Sequence, residues 1–132
     1  MDLFNELKKL KILLVDDDEL IRDSLALFFE TEGCHLTTRA TAEEGLKAFK
    51  FQDYDIIIAD YRLPGMDGLD FLQRIQNLNS RAIKILITAY GSKEVIAEAK
   101  KLGIQDFIEK PFTSDIIESS LSSLIKAHKL KK

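Results

Sequence analysis

The sequence predicts a doubly wound α/β domain: one parallel sheet of five strands with five helices over its two faces. Three observations predict it. Short apolar runs alternate with helical periodicities along the whole chain, as βα units require. The run Asp55-Ile-Ile-Ile-Ala-Asp60 is apolar on both faces, which suits a central strand covered on each side. The 132 residues show no internal repeat and no low-complexity linker, so one core is expected, burying roughly two-thirds of the unfolded surface.

The first strand is Ile12–Val15. Asp18 reads as the N-cap of a helix with Ile21, Leu25, Phe28 and Phe29 on one face, stopped by Gly33. A second strand covers about Cys34–Thr38. Thr41-Ala-Glu-Glu44 is a capping box, opening a helix that turns Leu46 and Phe49 inward. After the central strand, a loop over 61–66 leads to Asp67 as N-cap and to a helix burying Leu69, Leu72 and Ile75. The fourth strand, Ile83–Thr88, precedes a helix from about Ser92 with Val95, Ile96 and Ala99 inward, closed by Gly103. The fifth strand is Asp106–Glu109. The last helix runs from the Thr113 cap, its apolar positions being Ile116, Ile117, Leu121, Leu124 and Ile125. Right-handed crossovers leave few topologies, and the flavodoxin-like order 2-1-3-4-5 is the one expected.

Residues 1–10 read as an N-terminal extension, 11–128 as the domain and 129–132 as a basic tail. Within the extension, Leu3, Phe4, Leu7 and Leu10 fit either an amphipathic turn packed on the domain or a frayed tail, and the tail is the reading preferred.

Composition excludes several classes. The single cysteine, Cys34, cannot form an internal disulfide and fits a reducing compartment. No signal-peptide pattern and no run of about 20 apolar residues is present, so a cytoplasmic protein with no membrane contact is expected. Nineteen basic against 22 acidic residues give a formal charge of −3, which argues against direct nucleic-acid binding. The lysines of Lys126–Lys132 read as a solvated face.

In a sheet of this order, ligands bind beyond the carboxyl ends of the strands, where the strand order reverses. Strand 1 ends at Asp16-Asp17-Asp18, strand 3 at Asp60, strand 4 at Thr88-Ala89 and strand 5 at Lys110-Pro111. Singly, each is ordinary: strand-end acids are usually turn formers or caps, and a lone Thr or Lys is decoration. Together on one rim they form a chemical set. Asp16, Asp17 and Asp60 repel one another unless a hard cation neutralises them, and an all-oxygen site with room for water and phosphate suits Mg²⁺. A carboxylate there can be the nucleophile for a phosphoryl group. Asp60, on the central strand, is the better nucleophile. Asp17 is the direct ligand, with Asp16 acting through water, and the Arg62 backbone carbonyl is a further ligand. Lys110, the metal and the Thr88 hydroxyl can each cover one equatorial oxygen.

The segments ILLVDDD, IIIADYRLPGMDG, ITAYGS and DFIEKPF, in this order, resemble the receiver domains of two-component response regulators over about Lys11–Ala127. The resemblance implies that Asp16 and Asp17 serve Mg²⁺ and that Asp60 is phosphorylated by a histidine kinase or a histidine phosphotransfer protein. It implies further that Thr88 and Lys110 respond to the phosphoryl group and that the Lys110–Pro111 bond is cis. Phe107 stands at the aromatic switch position, where its lack of a hydroxyl excludes a Tyr-type hydrogen bond. Arg62 and Tyr90 occupy positions that tune phosphoryl lifetime. Switching is expected to act on the face of the fourth helix, strand 5 and last helix, residues 92–126, through a downstream effector or a homodimer. No output domain fits after Lys110. Such a protein catalyses only its own phosphorylation and dephosphorylation.

Rival readings exist. A phosphohydrolase using Asp16 and Asp18 as an Asp-x-Asp motif would leave Asp60 unexplained. A flavin or nucleotide binder lacks the glycine-rich phosphate loop after strand 1. A non-phosphorylated interaction module would have lost part of the acidic set. Cys34, His35, Met66 and His128 are assigned no chemistry.

Overall fold

The longest run apolar on both faces lies at the centre of the sheet. In the computed structural model, which describes residues 3–78, 81–89 and 92–128, β3 (Ile56–Asp60) is buried along its whole length. It lies between β1 (Lys11–Val15) and β4 (Ile83–Ala89), with β2 (His35–Arg39) and β5 (Asp106–Lys110) at the edges. The order is β2-β1-β3-β4-β5 with every pairing parallel, as expected.

Side chains alternate between the two faces with the strand period of two. Leu14, Ile58, Ile85 and Ile108 face one layer, where α2 (Glu19–Thr31) supplies Phe29 and α6 (Ser114–His128) supplies Ile117 and Leu121. Leu13, Ile57 and Leu86 face the other, built from α3 (Ala42–Phe51), α4 (Gly68–Leu78) and α5 (Lys93–Lys101) through Phe49, Phe71 and Ala99. Helices on both faces are why the central strands carry no polar alternation.

A sixth helix, α1 (Leu3–Leu7), precedes the five that were expected. Leu7 is fully buried and Leu10 is 2% exposed, both in the cluster that holds Phe29 and Cys34. The frayed-tail reading of the leader is thus corrected at these residues: two leucines three apart bury their side chains in the core cluster rather than leaving them in water. The segment 129–132 lies outside the described residues.

Three of the expected caps act where the sequence placed them. Asp18 Oδ1 accepts from the Leu20 N–H at 2.9 Å, and Asp67 Oδ1 from the Asp70 N–H at 2.8 Å. Thr41 Oγ1 accepts from the Glu44 N–H at 3.1 Å, and Glu44 Oε1 accepts from the Ala40 N–H at 3.3 Å. Ser92 precedes α5 without a side-chain capping bond. In α6, Ile117, Leu121, Leu124 and Ile125 are buried, but Ile116 is 45% exposed. Lys84, inside the apolar run of β4, is 1% exposed. Its Nζ donates to the Ala82 carbonyl at 2.8 Å, and burial lowers its pKa.

Candidate functional site

Four strand ends meet on one rim. Asp16 directly follows β1, Asp60 is the last residue of β3, Thr88 is the last but one of β4, and Lys110 ends β5. The register aligns them, with Asp60 beside Ile87, Thr88 beside Glu109 and Ala89 beside Lys110. Parallel strands all point the same way, so residues far apart in sequence finish at the same height.

Asp16, Asp60 and Thr88 are buried at 0, 4 and 0% exposure. Asp17 is exposed. Carboxylate oxygens of Asp16, Asp17 and Asp60 all lie within 4.8 Å of one another. Lys110 Nζ donates to Asp60 Oδ2 at 2.7 Å and stands 3.7 Å from Asp16 Oδ2. Asp60 Oδ1 accepts from the Arg62 N–H at 3.2 Å. The Lys110–Pro111 peptide is cis.

The electrostatics of this cluster are unbalanced. The Asp16 carboxyl is raised from 3.8 to about 6, chiefly by burial, with the Asp18 N–H and Lys110 pulling it down and the charges of Asp60 and Asp17 adding to the rise. Burial works against the Lys110 ammonium, yet its bond to Asp60 and the charges of Asp16, Asp60 and Asp18 hold its pKa above the ordinary lysine value.

Two buried oxygens make no hydrogen bond among the described residues, Asp16 Oδ2 and Thr88 Oγ1. Unpaired buried oxygens are costly, and one at a rim of acidic residues needs a reason, such as a bound ion or a catalytic role. A carboxylate set with one orphaned oxygen fits a hard cation, and an orphaned hydroxyl on the same rim fits an incoming oxyanion.

Phe107, half-buried, lies beside Leu86 in register and packs on the same face of the sheet. Tyr90 lies outside the described residues. Sequence reasoning missed two residues that shape the rim. Arg22 Nη1 donates to the Asp16 carbonyl at 2.8 Å. A Cβ on Gly68 would lie 2.2 Å from the Asp60 carbonyl oxygen, so only glycine lets the start of α4 sit on the Asp60 peptide. A glycine in the first turn of a helix, a poor former there, was the available signal. Beside the rim opens a groove of about 890 Å³, walled by Leu20, Leu27, Phe28 and Phe112 and reaching Asp60 and Lys110. Leu20 is 77% and Leu27 67% exposed.

The family model described as the response regulator receiver domain matches residues 12–122. The chain belongs to this family. The receiver is 33% identical over 115 residues to transcriptional regulatory protein FixJ of Bradyrhizobium diazoefficiens, covering 87% of this chain and 56% of FixJ. It is 33% identical over 115 residues to sporulation initiation phosphotransferase F of Bacillus subtilis, covering 87% of this chain and 93% of that protein. Among solved structures, a CheY-like receiver domain protein from Methanospirillum hungatei superposes with a TM-score of 0.85 at 30% identity, covering 91% of this chain and 97% of that one. The chain thus spans about half the length of FixJ and nearly all of the sporulation phosphotransferase. It is a receiver domain homologous to phosphorylatable two-component response regulators, with the five-stranded flavodoxin-like sheet of its relatives. No helix of the described residues is long and apolar enough to cross a membrane.

Proposed function

We propose that this receiver takes a phosphoryl group on Asp60 from a phosphohistidine of a histidine kinase or histidine phosphotransfer protein. The observation that carries the reading is the Asp60 carboxylate, buried at the end of the central strand and bonded to Lys110 at 2.7 Å. An Asp60 oxygen forms the new P–O bond as the donor's P–N bond breaks, and the donor imidazole keeps the electron pair and takes up a proton. Lys110 and the Thr88 hydroxyl cover two oxygens of the transferred group. Asp17, Asp60 and the Arg62 carbonyl would hold Mg²⁺, with Asp16 acting through water, and the ion when bound would supply positive charge against the carboxylates and the phosphoryl oxygens. The chain promotes only its own phosphorylation and hydrolysis, in the cytoplasm, and Arg62 and Tyr90 set the lifetime of the product. The receiver domain covers 11–128, with 1–10 leading into it and 129–132 as a basic tail.

The groove beside Asp60 supports a protein donor, because an apolar wall ending at the acceptor suits the apolar face of a helix that carries the phosphohistidine. Incubated with Mg²⁺ and a phosphohistidine donor, the receiver should gain one phosphoryl group, on the peptide containing Asp60. A label on Asp16 would instead support a phosphohydrolase. Leu27→Asp should slow transfer from the protein donor several-fold more than it slows labelling by acetyl phosphate. Equal slowing of both would remove the groove from the reading.

Phosphorylation adds charge and acceptor oxygens within reach of Thr88 and Lys110. As Thr88 moves towards them, Phe107 turns further inward, and the face of α5, β5 and α6 (residues 92–126) changes for an effector or a second copy. Only differential contacts with the two states can drive this, typically about 1–3 kcal/mol of coupling. Beryllofluoride with Mg²⁺ should shift amide NMR signals from the Asp60 loop through Thr88 and Phe107 to α5. Shifts confined to residues near Asp17 and Asp60 would show binding without switching.

A further inference from the structure

Arg22 sits one turn into α2, half-buried, and its reach is unusual. A guanidinium matches a carboxylate in fork geometry, and acids crowd the nearby rim. Yet among the described ion pairs none involves Arg22. Its Nη1 donates instead to the main-chain carbonyl of Asp16 at 2.8 Å. Asp16 is thereby tied at three points: its N–H donates to the Arg39 carbonyl at 3.1 Å, its carbonyl accepts from Arg22, and its Oδ1 accepts from the Asp18 N–H at 2.9 Å. Oδ2 is buried without a hydrogen bond among the described residues and faces the Lys110 ammonium, 3.7 Å away.

We propose that Arg22 is a positioning residue for the acidic pocket. Its bond fixes the peptide between Asp16 and Asp17, and so the direction in which both carboxylates face Asp60, while leaving their oxygens to a divalent cation. The inference rests on the metal reading above and adds a residue to it. It also sets two physical effects against each other. The positive charge of Arg22 repels a cation, so deleting that charge by itself tightens binding. The bond organises the ligands, so deleting it weakens binding, and residues that orient metal ligands typically matter by roughly 10–100-fold in affinity. Positioning outweighs repulsion here, because the bond acts directly on the ligand peptide whereas the half-exposed charge is screened by solvent.

The sign of one measurement tests this. Mg²⁺ alone is titrated by calorimetry into the wild type, Arg22→Met and Arg22→Lys, and the amide NMR signals of Asp17 and Asp18 are recorded without metal. Arg22→Met, which keeps the apolar stem, should bind Mg²⁺ roughly 10-fold more weakly and shift both amides. Arg22→Lys, which keeps a donor and the charge, should recover part of the affinity. Equal or tighter binding by Arg22→Met overturns the proposal. If Arg22→Met does not fold, Arg22→Lys carries the test through the same amides, and unshifted signals with wild-type affinity overturn it. Absence of Mg²⁺ binding by the wild type would sink the metal reading instead.

Discussion

Asp60→Asn should reduce phosphoryl uptake from acetyl phosphate with Mg²⁺ to background, a loss of at least about 100-fold. Asparagine keeps the shape of the side chain and can still accept from the Arg62 N–H, so the fold and the loop that follows should survive. What it removes is the anionic oxygen that bonds to phosphorus, and an amide is not a comparable nucleophile. Lys110→Ala should act differently. Its ammonium stands 2.7 Å from Asp60 Oδ2 and 3.7 Å from Asp16 Oδ2, so its loss removes charge stabilisation from the transferred group. Loss of one such donor typically slows a step by roughly 100–1000-fold. Mg²⁺ binding should be no weaker in Lys110→Ala, since a competing cation has left the pocket. Intact-mass measurement over time separates the two variants, and undiminished labelling of Asp60→Asn would remove Asp60 as the acceptor.

Without metal, Asp16→Asn should be more stable than the wild type at pH 7.5 by up to about 3 kcal/mol. The Asp16 carboxyl ordinarily titrates at 3.8 and in the fold at about 6. Between those values the folded protein binds a proton that the unfolded chain does not. Stability therefore rises as pH falls from above 6 towards 4, and it is lost as pH rises through about 6. Two pH units at about 1.4 kcal/mol each set the scale. Asparagine removes the buried charge while keeping the oxygen that accepts from the Asp18 N–H, so its stability should lack this slope. Thermal melts at pH 5 and 7.5 check this. The metal-free wild type should melt higher at pH 5, by roughly 3–7 °C from this group, since only about one of the two pH units lies between pH 5 and about 6. Saturating Mg²⁺ should close that gap, because a ligand that binds only the folded state stabilises it where Asp16 is ionised. A variant no more stable than the wild type at pH 7.5 would contradict the buried-charge account.

How much of this was legible beforehand depended on the range of the interaction. Asp18, Thr41 and Asp67 bond to backbone groups within three residues of themselves, so their capping roles follow from local chemistry. The three central strands were visible through apolar runs, whereas the edge strands His35–Arg39 and Asp106–Lys110 carry polar residues and gave a weaker signal. Phe71 illustrates the limit. It is fully buried in α4, yet the helical pattern singled out only Leu69, Leu72 and Ile75. Lys84 shows the same limit in polar form, since nothing beside it in sequence says that both faces of β4 are covered.

The sequence by itself determined the order of the five strands and of the helices that follow them, the caps at Asp18, Thr41 and Asp67, and the set of chemical groups at the strand ends, because those depend on neighbours along the chain. The tertiary structure decided the rest. It folded residues 3–7 into a helix, with Leu7 and Leu10 in the core cluster that also holds Phe29 and Cys34. It sent Arg22 to the Asp16 carbonyl, brought Gly68 against the Asp60 peptide, and left Asp16 Oδ2 and Thr88 Oγ1 buried without a hydrogen bond. Each of these is a contact or an exclusion of water set by segments that meet only when the sheet closes, and burial is a property of that whole assembly.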